Sequence, residues 1–158
     1  MRLSGTNAIV TGAASGFGRG IAEAFAAEGA RVVIADINGA KAAEVAAHIG
    51  ADKAIAVGAD VTKRHDVAAM VRAAVDAFGG LDILVNNAGT THKNQSLMTV
   101  SEADFDRIYA VNVKSIFLST LESVPEMEKR SGGWAINVTS TAGARPRAAA
   151  TAAGAHLV

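Results

Sequence analysis

The strongest constraint on the fold is an alternation of short apolar runs with longer helical segments. Five runs are rich in β-branched or aliphatic residues, and each of the first four leads into a helical or mixed segment; the runs are NAIVT, RVVIAD, KAIAVGAD, LDILVNN and WAINVTS. They are continuously apolar, which is typical of strands covered on both faces. Right-handed crossovers then predict a doubly wound, parallel α/β sheet of about five strands.

The segment between the third and fourth runs carries one apolar stripe at three- and four-residue spacing. Its members are Val67, Met70, Val71, Ala74, Val75 and Phe78. Such a stripe predicts a helix that packs on the sheet. We expect Thr62 to cap this helix at its N-terminus.

Further cap and break signals mark the other helices. Asn38 is expected to cap the second helix, and Ser101 with Asp104 three residues later indicates a capping box. Pro125 lies well inside a long helical segment from about residue 112 to 130. We expect it to kink or divide that helix.

Composition narrows the class of protein. The 158 residues are half hydrophobic and carry 15 basic and 15 acidic side chains without a run of like charge, which argues against nucleic acid or an anionic membrane as partner. Cysteine is absent, which suits a reducing compartment. No apolar run has the length of a signal peptide or a membrane span. We expect a soluble cytoplasmic protein, one domain over residues 1–158, with a small-molecule partner and an atypical alanine-rich end at 148–158.

A glycine-rich turn, TGAASGFG, follows the first predicted strand. Gly12, Gly16 and Gly18 fall where that strand turns into a helix whose apolar side carries Phe17, Ile21 and Phe25. Glycines allow a tight turn and a close approach to a pyrophosphate, which the N–H groups of the new helix can bind. A chance turn remains the alternative.

Asp36 ends the second predicted strand. An acidic side chain there accepts hydrogen bonds from the adenosine ribose and repels a 2′-phosphate, which favours NAD over NADP. Position 15, just ahead of Gly16, is Ser15 and not a basic residue. A solvated turn residue is the simpler alternative for Asp36. The turn matches neither a Walker loop nor a nucleophile elbow, because Gly18 is followed by Arg19, and Ser15 lacks the flanking glycines.

Four more motifs follow in order: DV at Asp60, NNAG at 86–89, VNV around Asn112, and NVTSTAG holding Ser140. Together with TGAASGFG they resemble the short-chain dehydrogenase/reductase family over nearly the whole chain up to about Arg147. The resemblance implies a Rossmann-type fold, NAD as cofactor and interconversion of a secondary alcohol and a ketone. Members of this family are commonly homo-oligomers.

The resemblance also assigns roles by position. Asp60 and Val61 would contact adenine, Asn112 would hold a water in a proton relay, and Ser140 would hydrogen-bond the substrate oxygen. The expected catalytic residues are therefore Asn112 and Ser140. The expected cofactor-binding residues are Gly12, Ser15, Gly16, Phe17, Gly18, Asp36, Ile37, Asp60, Val61, Asn87, Ala88 and Gly89.

The chain departs from the family pattern at the proton donor. Family spacing from Ser140 places a tyrosine at 153 and a lysine at 157, where this chain has Ala153 and Leu157. The single tyrosine, Tyr109, has Lys114 five places on, about 140° around a helix, so it is not a replacement pair. The four histidines show no metal-ligand spacing, and no metal is expected.

Three interpretations of this departure stay open. The chain is an impaired NAD-dependent oxidoreductase, a non-catalytic NAD-binding module, or an inert fragment. We expect a shortened or reading-frame-altered version of a longer enzyme, whose fifth strand would be left as a bare edge. A nucleotide-using methyltransferase is disfavoured, because it would not require NNAG or NVTSTAG.

Overall fold

A single parallel sheet organises the part of the chain that the computed structural model describes, residues 1–92 and 95–140. The strand order is β3-β2-β1-β4-β5, and every neighbouring pair is parallel. The strands are β1 (Asn7–Thr11), β2 (Arg31–Asp36), β3 (Ala54–Gly58), β4 (Ile83–Asn86) and β5 (Trp134–Asn137). The prediction of about five parallel strands is confirmed.

Five α-helices connect these strands. They are α1 (Gly16–Ala27), α2 (Gly39–Ile49), α3 (Arg64–Phe78), α4 (Glu102–Tyr109) and α5 (Ser115–Glu128). A short 3₁₀ turn, Leu97–Thr99, precedes α4, and a π-helical turn, Ala110–Lys114, joins α4 to α5.

The core lies in two layers, one on each side of the sheet. On one face α1 and α2 pack alanines and Val45 against strand residues such as Val10 and Ile34. On the other face α3 and α5 pack Met70 and Leu118 against Ile9 and its neighbours. Because helices cover both faces, the sheet is doubly wound, as predicted.

Two of the three predicted helix caps form. The Asn38 side chain accepts a hydrogen bond from the Lys41 N–H, and the Ser101 hydroxyl accepts one from the Asp104 N–H. The Thr62 prediction is wrong: α3 begins after Lys63 without a side-chain cap bond. Thr62 instead donates its hydroxyl to Asp60, two residues back, because a two-residue turn lies within its reach.

Two other helix predictions are corrected. Phe17 does not pack on the core side of α1 with Ile21 and Phe25; it stands in the first turn and is 85% exposed. Pro125 does not divide its helix, since α5 runs unbroken across it. A proline removes only one backbone N–H, so the helix loses a single bond to the Leu121 carbonyl and the other bonds of α5 can still form.

The strand order creates a crevice at the carboxyl ends of β1 and β4. The chain leaves β1 towards α1 on one face, whereas α5, which lies between β4 and β5 in the sequence, packs on the other face. Ligands of doubly wound sheets bind at such a reversal of strand order. The glycine turn and the NNAG motif both open into it.

Candidate functional site

A cleft of about 670 Å³ opens at this crevice. Nine predicted cofactor-binding residues line it: Gly12, Ser15, Asp36, Ile37, Asp60, Val61, Asn87, Ala88 and Gly89. The structure thus brings together segments that follow four different strands. The other three predicted residues, Gly16, Phe17 and Gly18, form the adjoining first turn of α1.

Gly12 and Gly18 let the turn pack directly on the end of β4. Gly12 has a positive φ of 64°, and a Cβ there would lie 2.9 Å from the Ala88 Cα. A Cβ on Gly18 would overlap the Gly12 carbonyl oxygen and lie 2.5 Å from the Asn87 Nδ2. Both positions therefore require glycine for space, and Gly12 also for its backbone conformation.

Hydrogen bonds fix this contact between β1 and β4. The side-chain nitrogen of Asn87, Nδ2, donates to the carbonyl oxygens of Thr11 at 2.9 Å and Gly12 at 3.3 Å. The Thr11 hydroxyl oxygen accepts from the N–H groups of Asn87 and Ala88, both at 3.0 Å. The Asn87 side chain therefore fixes the end of β4 against the glycine turn. Thr11, which was not predicted from the sequence, contributes to the same contact.

The first turn of α1 presents free donors at the cleft. Ser15 is the N-cap in extended conformation, and its side chain makes no cap bond. The N–H groups of the first helical turn have no partner within the helix, and the positive end of the helix dipole adds to them. Together with the open glycine turn, this arrangement can bind phosphate.

Asp36 is tied to the glycine turn by its own side chain. One carboxylate oxygen accepts the Ala14 N–H at 3.0 Å, and the other accepts the Asn38 N–H at 2.8 Å. Ile37, next in sequence, is 77% exposed and presents an apolar surface in the cleft. A negative charge beside an apolar platform suits a sugar next to a flat base.

Asp60 lies at the far side of the cleft. Its Oδ1 accepts hydrogen bonds from the Thr62 hydroxyl at 2.7 Å and the Thr62 N–H at 2.9 Å. The hydroxyl bond contributes most to holding the pKa of Asp60 below its ordinary value, and the Thr62 N–H and the charge of Lys63 add to it. The carboxylate is therefore charged at neutral pH.

Asn112 lies in the π-helical turn between α4 and α5. Its Oδ1 accepts the Thr90 N–H at 2.8 Å, and its Nδ2 donates to the Thr90 carbonyl at 2.9 Å. Both ends of the amide therefore hold the backbone just after NNAG. π-Helical turns are frequent at functional sites.

A second cavity of about 430 Å³ adjoins the first. The two share the segment 87–90, and the second is lined by both predicted catalytic residues, Asn112 and Ser140. A ligand that follows this segment would reach from Asp36 to Ser140. Ala153 and Leu157, the departures from the family pattern, lie outside the described residues, as does the whole predicted alanine-rich end at 148–158.

Several cleft residues were not predicted from the sequence. Ala59, Thr62, Thr90, Arg107, Ala110 and Val111 also line the first cavity. Thr62 was identified, but only as a helix cap. Arg107 belongs to none of the motifs described above. The only signal in the sequence was the pair Asp106–Arg107, which is separated from VNV by three residues.

Two negative findings apply to residues 1–92 and 95–140. No group of three or more histidine, cysteine, aspartate or glutamate side chains there could hold a metal ion. Within the same ranges, none of the helices combines the length and the apolar character that crossing a membrane requires.

Known proteins that are similar to this chain include two longer dehydrogenases. The chain is 43% identical over 148 residues to 4-formylbenzenesulfonate dehydrogenase of Comamonas testosteroni, covering 92% of this chain and 59% of that protein. It is 43% identical over 152 residues to galactitol 2-dehydrogenase of Agrobacterium fabrum, covering 96% and 59% respectively. The chain thus spans about three fifths of these curated relatives.

A solved structure shares the fold. The crystal structure of 3-ketoacyl-(acyl-carrier-protein) reductase from Brucella melitensis, complexed with NADH, superposes with a TM-score of 0.92 at 46% identity, covering 97% of this chain and 64% of that one. The family model described as "short chain dehydrogenase" matches residues 6–155. From its sequence motifs, its sheet topology and these matches, the chain belongs to the short-chain dehydrogenase family.

Proposed function

We propose that this chain binds NAD(H) in the cleft at the ends of β1 and β4, as the nucleotide-binding part of an oxidoreductase that interconverts a secondary alcohol and a ketone. The observation that carries the proposal is Asp36, a carboxylate fixed at the end of β2 within the same cleft as the glycine turn. The NADH named in the Brucella melitensis structure supports the same cofactor.

The residues of the cleft fit such a dinucleotide. The first turn of α1 would hold the pyrophosphate, since its N–H groups have no partner within the helix and Gly12 and Gly18 let the turn pack against the end of β4. Asp36 would accept the ribose hydroxyls and repel a 2′-phosphate. Ile37 and Val61 would flank the adenine. Asn87 to Gly89 would line the path towards Ser140.

The second cavity would take the substrate. When bound, the nicotinamide ring donates or accepts the hydride. The Ser140 hydroxyl would hydrogen-bond the substrate oxygen, and Asn112 would hold the segment that separates the two cavities through its bonds to Thr90.

The proton step sets the expected rate. A ketone that receives a hydride needs a proton on its oxygen, and neither Ala153 nor Leu157 carries a group that can supply or steer one. Loss of a general acid costs about 10²- to 10⁴-fold in rate. We therefore propose weak turnover, and a non-catalytic NAD-binding module is the second candidate because of the same two residues.

We further propose a cytoplasmic location, which the cysteine-free sequence suits, and a homo-oligomer of the type common in the family.

Calorimetric titration with NADH and NADPH tests the cofactor proposal. We expect NADH to bind at least about tenfold more tightly than NADPH, because Asp36 repels the extra phosphate. Asp36→Asn should reduce the difference between the NADH and NADPH affinities, since it removes the charge. The asparagine keeps an acceptor for the Ala14 N–H. Asp52→Asn, at an exposed site outside the cleft, is the matched control and should leave the difference unchanged.

Turnover is measured separately, by NADH absorbance with NAD and a panel of secondary alcohols. A rate on the order of 1 per second or more would contradict the proposed impairment. NADH binding without turnover would favour the non-catalytic module. Absence of NADH binding in the folded protein would overturn the cofactor assignment itself.

A further inference from the structure

Arg107, on α4, reaches the loop that leaves the cleft. Its guanidinium donates to the Thr90 hydroxyl at 2.8 Å and to the Thr91 carbonyl at 3.4 Å. It also pairs with Asp104, at 3.1 Å on its own helix. The side chain is 46% exposed, so these contacts lie at the rim of the cleft and outside the core.

Thr90 is thereby held on three of its polar groups. Asn112 binds its N–H and its carbonyl, and Arg107 binds its hydroxyl. The two partners come from successive helical segments, α4 and the π-helical turn, and both lie more than 15 residues along the chain from Thr90. Thr90 directly follows Asn87 to Gly89, which line both cavities. A shift of Thr90 would therefore displace the cleft wall.

Arg107 is itself held in place. Asp104 offers Oδ1 to Arg107, while its Oδ2 accepts the Ser101 hydroxyl at 2.9 Å. The Ser101 hydroxyl bond, followed by that of Arg107, lowers the pKa of Asp104. Asp104 is therefore charged at neutral pH and orients the guanidinium towards Thr90.

We propose that Arg107 is a positioning residue of the nucleotide cleft, which acts through the Thr90 hydroxyl to set the wall formed by residues 87–90. Its role as a cofactor-affinity determinant rests on the proposed function; its hold on Thr90 does not. The alternative is that Arg107 contacts the anionic ligand directly, since it also lines the cleft. The geometry points to Thr90, because the guanidinium already donates to Thr90, Thr91 and Asp104.

A double-mutant cycle on NADH affinity separates these two roles. Arg107→Ala and Thr90→Val, which replaces the hydroxyl by a methyl group of similar size, should each weaken NADH binding about 3- to 30-fold. The double variant should bind no more weakly than the weaker single variant, within about twofold. If the two factors multiply instead, Arg107 acts independently of Thr90 and the proposal is overturned.

Two control variants distinguish a specific effect on NADH binding from a general loss of structure. Arg72→Ala removes an exposed arginine from α3, away from the cleft, and should leave NADH affinity unchanged. Thr90→Ser keeps the hydroxyl and should restore affinity to near that of the parent chain. Equal weakening by Arg72→Ala, or failure of Thr90→Ser to restore binding, would contradict a specific role for the Arg107 contact.

Amide hydrogen exchange in the ligand-free protein gives a second readout that does not depend on NADH. Arg107→Ala and Thr90→Val should each speed exchange at Ala88 and Thr90, whose N–H groups donate to Thr11 and Asn112 respectively, and Arg72→Ala should not. Unchanged exchange at these amides would overturn the proposal. If the parent chain binds no NADH, the proposed function fails, and this measurement still decides whether Arg107 sets the position of Thr90.

Discussion

At the scale of single residues, the glycine turn can approach the end of β4 because Gly12 and Gly18 have no side chain. Gly12 and Gly18 face each other and Asn87 across a space that a Cβ would fill. Asn87 donates to backbone carbonyls on the turn, so closeness and hydrogen bonding depend on each other. Substitutions at these positions should therefore change the geometry of the cleft more than the packing of the core.

Gly18→Ala tests this dependence. The new Cβ would overlap the Gly12 carbonyl and crowd the Asn87 amide, so either the helix or the end of β4 must move. We expect the free energy of unfolding to fall by about 1–3 kcal/mol, and NADH affinity to fall at least about tenfold. Urea denaturation and NADH titration measure the two effects.

Gly20→Ala, on the same helix, is the matched control. A Cβ at this position would meet no atom within 4 Å apart from the neighbouring backbone of its own helix. Alanine should therefore be neutral or stabilise by up to about 1 kcal/mol through its helix propensity. If both substitutions behaved alike, space at Gly18 would not be the deciding factor.

At the scale of elements, the connection from β3 to α3 is held by Asp60 and not by a helix cap. The carboxylate accepts two bonds from Thr62, while the Asp60 N–H donates to Asp66 in the first turn of α3 at 2.9 Å. These bonds bring the end of β3 and the start of α3 to the side of the cleft where we propose that adenine binds.

Thr62→Val should change the stability of this connection in a pH-dependent way. Because Thr62 lowers the pKa of Asp60, the stabilisation is present above the unfolded pKa of about 3.9 and is lost as pH falls through the lower folded value. We expect a loss of about 0.5–1 kcal/mol at neutral pH, reduced for solvent exposure.

Urea unfolding at neutral pH and at a pH below the lowered folded pKa of Asp60 measures this difference. The gap between Thr62→Val and the parent chain should narrow at the lower pH, where Asp60 becomes protonated in both proteins. Thr62→Ser, which keeps the hydroxyl, should resemble the parent chain. A gap independent of pH would assign the effect to packing of the threonine methyl group.

The sheet, the crevice and most of the cleft could be predicted from the sequence because their signals are local. Apolar runs specify the strands, the glycine turn follows one of them directly, and Asn38 and Ser101 stand next to the amides they cap. Asp36 was likewise identified by its position at a strand end. These features depend on neighbours within a few residues.

Other features could not be predicted, because they arise from contacts between distant segments. Thr11 meets Asn87 across 76 residues, and Arg107 meets Thr90 across 17. Thr62 had two partners within reach, and the sequence pattern does not rank them. Phe17 matched an apolar helix face but stands in the first turn, where that face has not yet reached the sheet.

At the scale of the whole molecule, β5 is the edge strand of the described sheet, and all four of its residues are exposed. It pairs with β4 along one side only. Trp134, the single tryptophan of the chain, stands on this strand and is 68% exposed. Its fluorescence therefore reports directly on the surroundings of β5.

We expect acrylamide to quench Trp134 nearly as strongly as it quenches a free tryptophan derivative under the same conditions. Quenching should not change across a wide range of protein concentration. Strong protection from acrylamide would show that another surface covers β5, and protection that grows with concentration would assign that surface to a second molecule.

The double attachment of Asp36 limits how such a chain could change its coenzyme during evolution. The carboxylate that would discriminate between the two adenosine sugars also anchors the Ala14 amide of the neighbouring turn. Replacing Asp36 by a side chain without an acceptor would reduce the discrimination between the two coenzymes. The same change would remove the hydrogen bond that fixes the Ala14 N–H. A lineage moving towards the phosphorylated coenzyme would first need another acceptor for that amide.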